Sequence, residues 1–151
     1  MKRVLLLSLI CLISFQLTNA KTKPTHSAST KVPQKTASLT GTYRTRWSEF
    51  KVQALGVNRI HVRFDGSYQY KVRGELTANT GTADGMVTLK DNAATFVPEG
   101  TTGCSINLKF VGNKLVVKQT GSDSDCGFGH NVTADGTYIK RSSRPPKFEE
   151  R

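Results

Sequence analysis

The chain has 151 residues, three cysteines and a formal net charge of +11. Its length excludes more than one domain of ordinary size, and its composition, 36% hydrophobic, is enough for one buried core. The charge looks like that of a nucleic-acid-binding protein, but its distribution removes that reading. Residues 38–139 hold eleven basic and nine acidic side chains, whereas residues 1–20, 21–37 and 140–151 carry +2, +4 and +3. The basic excess therefore sits in the tails, with two readings. Either the tails are simply solvated, or they meet anionic envelope polymers or lipid headgroups.

MKRVLLLSLICLISFQLTNA, residues 1–20, has a positive start, a short apolar run and small or polar residues before Lys21. It predicts a cleaved secretory signal peptide and a periplasmic or secreted protein. The run is too short to span a membrane, and no later segment is a transmembrane candidate. Cys11 suggests a lipoprotein anchor, but Ile10 is too bulky for the usual processing site. Residues 21–37 are rich in Lys, Thr, Ser and Pro, with little to bury, and predict a disordered basic linker. Residues 141–151 predict a disordered tail of the same kind. The folded domain is expected over 38–140.

Within that domain every strong pattern has period two, which predicts an all-β fold of about eight antiparallel strands. A first strand is expected around 40–47 and a last around 131–140, with three hairpins between. In RIHVRFDGSYQYKVR, residues 59–73, Ile60 and Val62 must share a face with Tyr68 and Tyr70. A three-residue loop at Phe64-Asp65-Gly66, with Gly66 left-handed, satisfies that condition. A turn at Asp91-Asn92 would pair Leu89 with Ala94 and Val87 with Phe96. A turn at Gly112-Asn113 would pair Phe110 with Leu115 and Leu108 with Val117. A meander of eight strands leaves two exposed edges, and closure into an up-and-down barrel removes them. The near-repeat of TGTY (40–43) and DGTY (135–138) then marks strands that pair at the seam, with Tyr43 and Tyr138 pointing inward.

Cys104 and Cys126 remain after the leader, and an even pair in an exported chain reads as a disulfide; two free buried thiols are the alternative. Closing this loop contributes about 3 kcal/mol. Catalytic readings are weak. Asp123 or Asp125 with His130 and a nearby Ser could be assembled into a triad, but ordinary loop polarity explains these residues as well. Asp123-x-Asp125 lacks the ligand count of a calcium loop, and no Cys or His stands at zinc spacing. No catalytic residue, metal or cofactor is assigned.

FVGNKLVVKQTGSDSDCGFGHNVTADGTYIK, residues 110–140, together with Gly41-Thr42-Tyr43, resembles small exported bacterial proteins with a lipocalin-like barrel, distantly similar to periplasmic lysozyme-inhibitor barrels. Gly41-x-Tyr43 is similar to the lipocalin Gly-x-Trp signature, with Tyr in place of Trp. The resemblance implies a barrel over roughly 40–140 but no settled activity, and no inhibitory residue is carried over from it. Asn131-Val132-Thr133 is a glycosylation sequon that matters only in a eukaryotic host.

Binding surfaces are the remaining candidates. Trp47, Tyr68 and Tyr70 are expected inward, with polar tips that could line a cavity mouth. Arg59, His61, Arg63, Lys71 and Arg73 form a candidate anionic-partner patch on one face of the 59–73 hairpin. Phe128 either plugs the barrel or, with His130, anchors a partner from the Cys126 loop. The expected function is a non-catalytic monomeric binding module that holds a small apolar or amphipathic ligand. The alternative is a protein-binding module of the cell envelope, such as an inhibitor of an enzyme.

Overall fold

The computed structural model describes residues 34–148. The expected signal peptide, most of the linker and residues 149–151 lie outside the described residues. Helical turn α1 (Gln34–Ala37) closes the linker. It is followed by β1 (Gly41–Arg44), β2 (Ser48–Gly56), β3 (Arg59–Val72), β4 (Glu75–Thr88), β5 (Ala93–Phe96), β6 (Ser105–Val111), β7 (Lys114–Thr120) and β8 (Gly136–Ser142). All pairings are antiparallel, in the order β4-β3-β2-β1-β8-β7-β6-β5. The sheet is a nearly closed eight-stranded barrel, open between β4 and β5.

The end strands do pair: Tyr43 lies opposite Lys140 and Arg44 opposite Ile139. Tyr43 and Tyr138 are both buried inside. The gap lies elsewhere. Asp91 and Asn92, both at positive φ, make the expected turn, and Lys90 bridges Ala93. Beyond that bridge the strands part, so the expected ladder of Val87 on Phe96 does not form. The Phe96 ring lies instead in the space that a side chain on Gly85 would fill.

The β6–β7 hairpin has the expected register, Phe110 opposite Leu115 and Leu108 opposite Val117. The expected turn at Phe64-Asp65-Gly66 is wrong. β3 runs straight through it to Val72, and the chain reverses at Arg73-Gly74, both at positive φ. The shared face demanded of Ile60, Val62, Tyr68 and Tyr70 is met without any turn, because all four positions are even along one strand. Gly66 serves packing: the Phe64 ring folds into the space a side chain there would take.

The interior is filled. Phe50 packs against Phe64 at 5.1 Å and edge-on to Tyr138 at 4.9 Å; Tyr43 meets Phe110 at 5.8 Å. Ile60, Val62, Ile106, Leu108 and Leu115 complete this core, all essentially without solvent contact. The Tyr43 and Tyr138 hydroxyls donate to the Leu39 and Ala134 carbonyls, which satisfies their polar tips within the core. The disulfide is present, joining Cys104 to Cys126 with Cα atoms 4.8 Å apart.

Candidate interaction surface at the end of the barrel

β2 starts at Ser48, opposite Gly66. Beyond that point β3 and β4 pair only with each other, so residues 67–80 form a two-stranded ribbon that runs about 20 Å past the start of β2. Its tip is the Arg73-Gly74 turn. Tyr68, Tyr70, Val72 and Leu76 are all exposed on it, Leu76 at 67%.

Among the described residues the ribbon is braced at its base. Gly129 donates its N–H to the Thr80 carbonyl at 2.9 Å, and Asn79 Nδ2 donates to the His130 carbonyl at 2.8 Å. Tyr70 in turn donates its hydroxyl to Asn79 Oδ1 at 3.3 Å. On the other side the Ser67 N–H donates to the Trp47 carbonyl at 3.0 Å. These bonds fix which backbone groups face outward. In a two-residue hairpin Val72 and Glu75 bond each other, so the alternate residues turn their N–H and C=O to the ribbon's edges. Ser67 and Thr80 are two such residues, and both are engaged. Gln69 and Lys71 on β3, and Leu76 and Ala78 on β4, are the next ones out.

The bracing loop, residues 121–135, owes its shape to two aspartates. Asp123 accepts from the Asn131 and Ser124 N–H groups, and these bonds, with His130 nearby, hold its carboxyl below the usual range. Asp125 is lowered by the Ser122 hydroxyl and then the Ser122 N–H. Both carboxylates are spent on loop geometry, which accounts for the Asp-x-Asp pattern. Among the described residues no group of three or more His, Cys, Asp or Glu could hold a metal ion.

The sequence-derived candidates are redistributed. Trp47 is not inward: it sits between β1 and β2, 45% exposed, with the Arg46 guanidinium 4.5 Å above its ring. Tyr68 and Tyr70 are on the interior-facing side of β3 but past the barrel's end, so they stack on each other at 6.1 Å instead of lining a cavity. Phe128 is a plug, 6% exposed, packed on Phe64 at 5.2 Å and against Gly81; it cannot anchor a partner. His130 stays exposed, with Nδ1 3.5 Å from Asp123.

The five-residue basic patch is divided. Lys71 and Arg73 belong to the ribbon. His61 lies ten residues away on the barrel wall, about 33 Å along the strand. There its Nε2 is 2.6 Å from Asp84 Oδ1, and Arg63 bonds Asp65 at 3.2 Å. Arg59 reaches the Met86 sulfur. The Phe148 ring stacks on His61 at 3.8 Å, bringing the C-terminal segment onto this wall, and β8 itself extends to Ser142. No helix among the described residues is long and apolar enough to cross a membrane.

Sequence reasoning missed the free β4 edge, because splitting β3 at Gly66 left no strand over 75–85. The available signal was Arg73-Gly74, a turn-forming pair between two runs of strand-forming residues. Comparison with protein-family models, curated proteins and solved structures finds no match.

Proposed function

We propose that this chain is an exported, non-catalytic binding module that captures an extended segment of a protein partner by adding it as a strand to the β4 edge of the ribbon. The observation that carries this reading is the ribbon itself. It projects past β2 with four large apolar side chains exposed and, at Leu76 and Ala78, an edge that no strand among the described residues pairs. Edge strands invite pairing, and proteins normally blunt them with Lys, Pro or a bulge. The β3 edge carries Lys71; on β4 the charge is confined to Glu75 beside the turn, and residues 76–80, Leu-Thr-Ala-Asn-Thr, carry no charge, Pro or bulge. Strand addition supplies affinity through the main chain and specificity through alternate side chains, here Leu76 and Ala78 on one face and Thr77 with Tyr70 on the other. The ring-to-ring packing of the interior is what moves the reading from a ligand inside the barrel to a partner outside it. The resemblance to inhibitor barrels is compatible with such a partner.

Ala78→Pro tests this reading. The Ala78 N–H faces the edge, so proline there removes no bond to β3 yet blocks an incoming strand. A photocrosslinker placed at Thr77 is expected to trap a partner in host envelope extracts, and Ala78→Pro to abolish the adduct while the thermal unfolding of the barrel changes little. Undiminished crosslinking in Ala78→Pro would sink the strand-addition reading.

A further inference from the structure

The outer face of β5–β7, on the other half of the barrel, carries a second surface. Register places Ala93, Lys109, Val116 and Thr137 in one row across the sheet. Lys114 and Lys118 flank Val116 on its own strand, each about 7 Å away. Lys90 joins them from the β4–β5 turn. Lys90, Lys109 and Lys118, with the single carboxylate of Asp91 beside Lys90, rim a shallow depression of about 580 Å³ whose floor includes Ala93, Ala94 and Val116. Lys118 bonds Asp135 at 2.9 Å; among the described residues Lys90, Lys109 and Lys114 form no ion pair. Between the lysines Val111 and Val116 stay exposed, at 51% and 40%.

The chain enters beside this face. Thr36 and Leu39 line a pocket together with Lys90, Asp91 and Asn92. In the sequence, the segment just before Gln34 carries Lys21, Lys23 and Lys31, charges of the same sign.

We propose that this face docks the protein on an anionic lipid bilayer. The lysine ammonium groups meet headgroup phosphates, and Val111 and Val116 enter the boundary between headgroups and acyl chains. Charge complementarity alone would suit any polyanion. The valines set between the lysines favour a bilayer, because a hydrated polyanion gains nothing from them, whereas an interface takes both components. The surface lies away from the ribbon, so a docked molecule leaves the β4 edge free, and the proposal stands or falls independently of strand capture.

Co-sedimentation of the full mature chain with vesicles tests it. Binding is expected to phosphatidylcholine vesicles containing phosphatidylglycerol and not to phosphatidylcholine alone, and to weaken as salt rises from about 0.1 to about 1 M. Lys90→Glu/Lys109→Glu/Lys114→Glu, at exposed positions without ion pairs, is expected to lower the partition coefficient at least tenfold. Val111→Ser/Val116→Ser leaves every charge in place and is expected to lower it about tenfold, from the lost apolar burial. Wild-type partitioning in the lysine variant would assign binding to the tails and overturn the proposal. Wild-type partitioning in the valine variant, or binding to soluble heparin with none to vesicles, would overturn the bilayer as the partner.

Discussion

Gly81 has no side chain where the Phe128 ring comes closest to the sheet. A Cβ there would stand 2.8 Å from the Phe128 Cβ and from two atoms of its ring, and Gly66, opposite Gly81, leaves similar room for Phe64. The two bare positions form a window that two aromatic rings fill from inside. Because φ of Gly81 is not positive, Gly81→Ala adds crowding without backbone strain. It is expected to destabilise the fold by about 1–3 kcal/mol, seen as a lower urea midpoint; an unchanged midpoint would mean that Phe128 is not seated here. The buried tyrosines give a second residue-scale test. Burial pushes the Tyr43 phenol up to about 12, and Tyr138 is raised further. The folded chain therefore holds these protons more tightly than the unfolded chain, where the phenol titrates near about 10. The stabilisation is complete below that value and is lost as pH climbs towards about 12. The urea midpoint is expected to fall over that interval, and less steeply in Tyr43→Phe.

At the scale of elements, the disulfide and the ribbon are one construction. Cys126 fixes the loop that starts after β7, and that loop seats Phe128 and supplies the Gly129 N–H and His130 carbonyl that brace β4. With a sequence separation of 22, the closed loop contributes about 3 kcal/mol through the unfolded chain. Reduction is expected to cost about that much and to do something a purely entropic staple would not: amide exchange should accelerate at Gly129, whose N–H bonds the Thr80 carbonyl, and at Asn79 before it does in β6–β7. Uniform acceleration would separate the loop from the ribbon. His61 shows the same economy on the wall, where Asp84 takes its ring nitrogen and Phe148 its face. A residue that reads as a free cation in the sequence is already engaged on two sides.

At the scale of the molecule, chain ends and sheet ends do not coincide. β1 and β8 pair in the middle of the sheet, and its two edges, β4 and β5, come from the middle of the sequence. The edges differ. β5 has four residues, beside Lys90 and Lys109, whereas β4 has fourteen and no lysine. One edge is thus short and ringed with charge, and the other long and paired with no further described strand, which is why the proposed strand capture falls to β4 and the proposed docking to the β5–β7 side.

How much of this the sequence determined by itself follows from which interactions are local. Alternation at 105–120 with Gly112-Asn113 between the halves gave the β6–β7 register, because a two-residue turn and one buried face leave a single pairing. The two cysteines within the expected domain pointed to the disulfide, and the matching GTY segments pointed to the contact between β1 and β8, although in the ladder Tyr43 faces Lys140 and not Tyr138. The path of β3 was not legible. Asp65-Gly66 is a turn signal by composition, and a straight strand and a bulged hairpin put the same residues on the same face. Only packing separates them: a turn at Gly66 would take away the space that the Phe64 ring occupies. Nor could the sequence say that the even face of β3 outruns the barrel, since that depends on where β2 begins beside it. Tyr68 and Tyr70 obey the same alternation as Ile60 and Val62, and only the absence of neighbouring strands beyond Gly66 turns them from core residues into a surface.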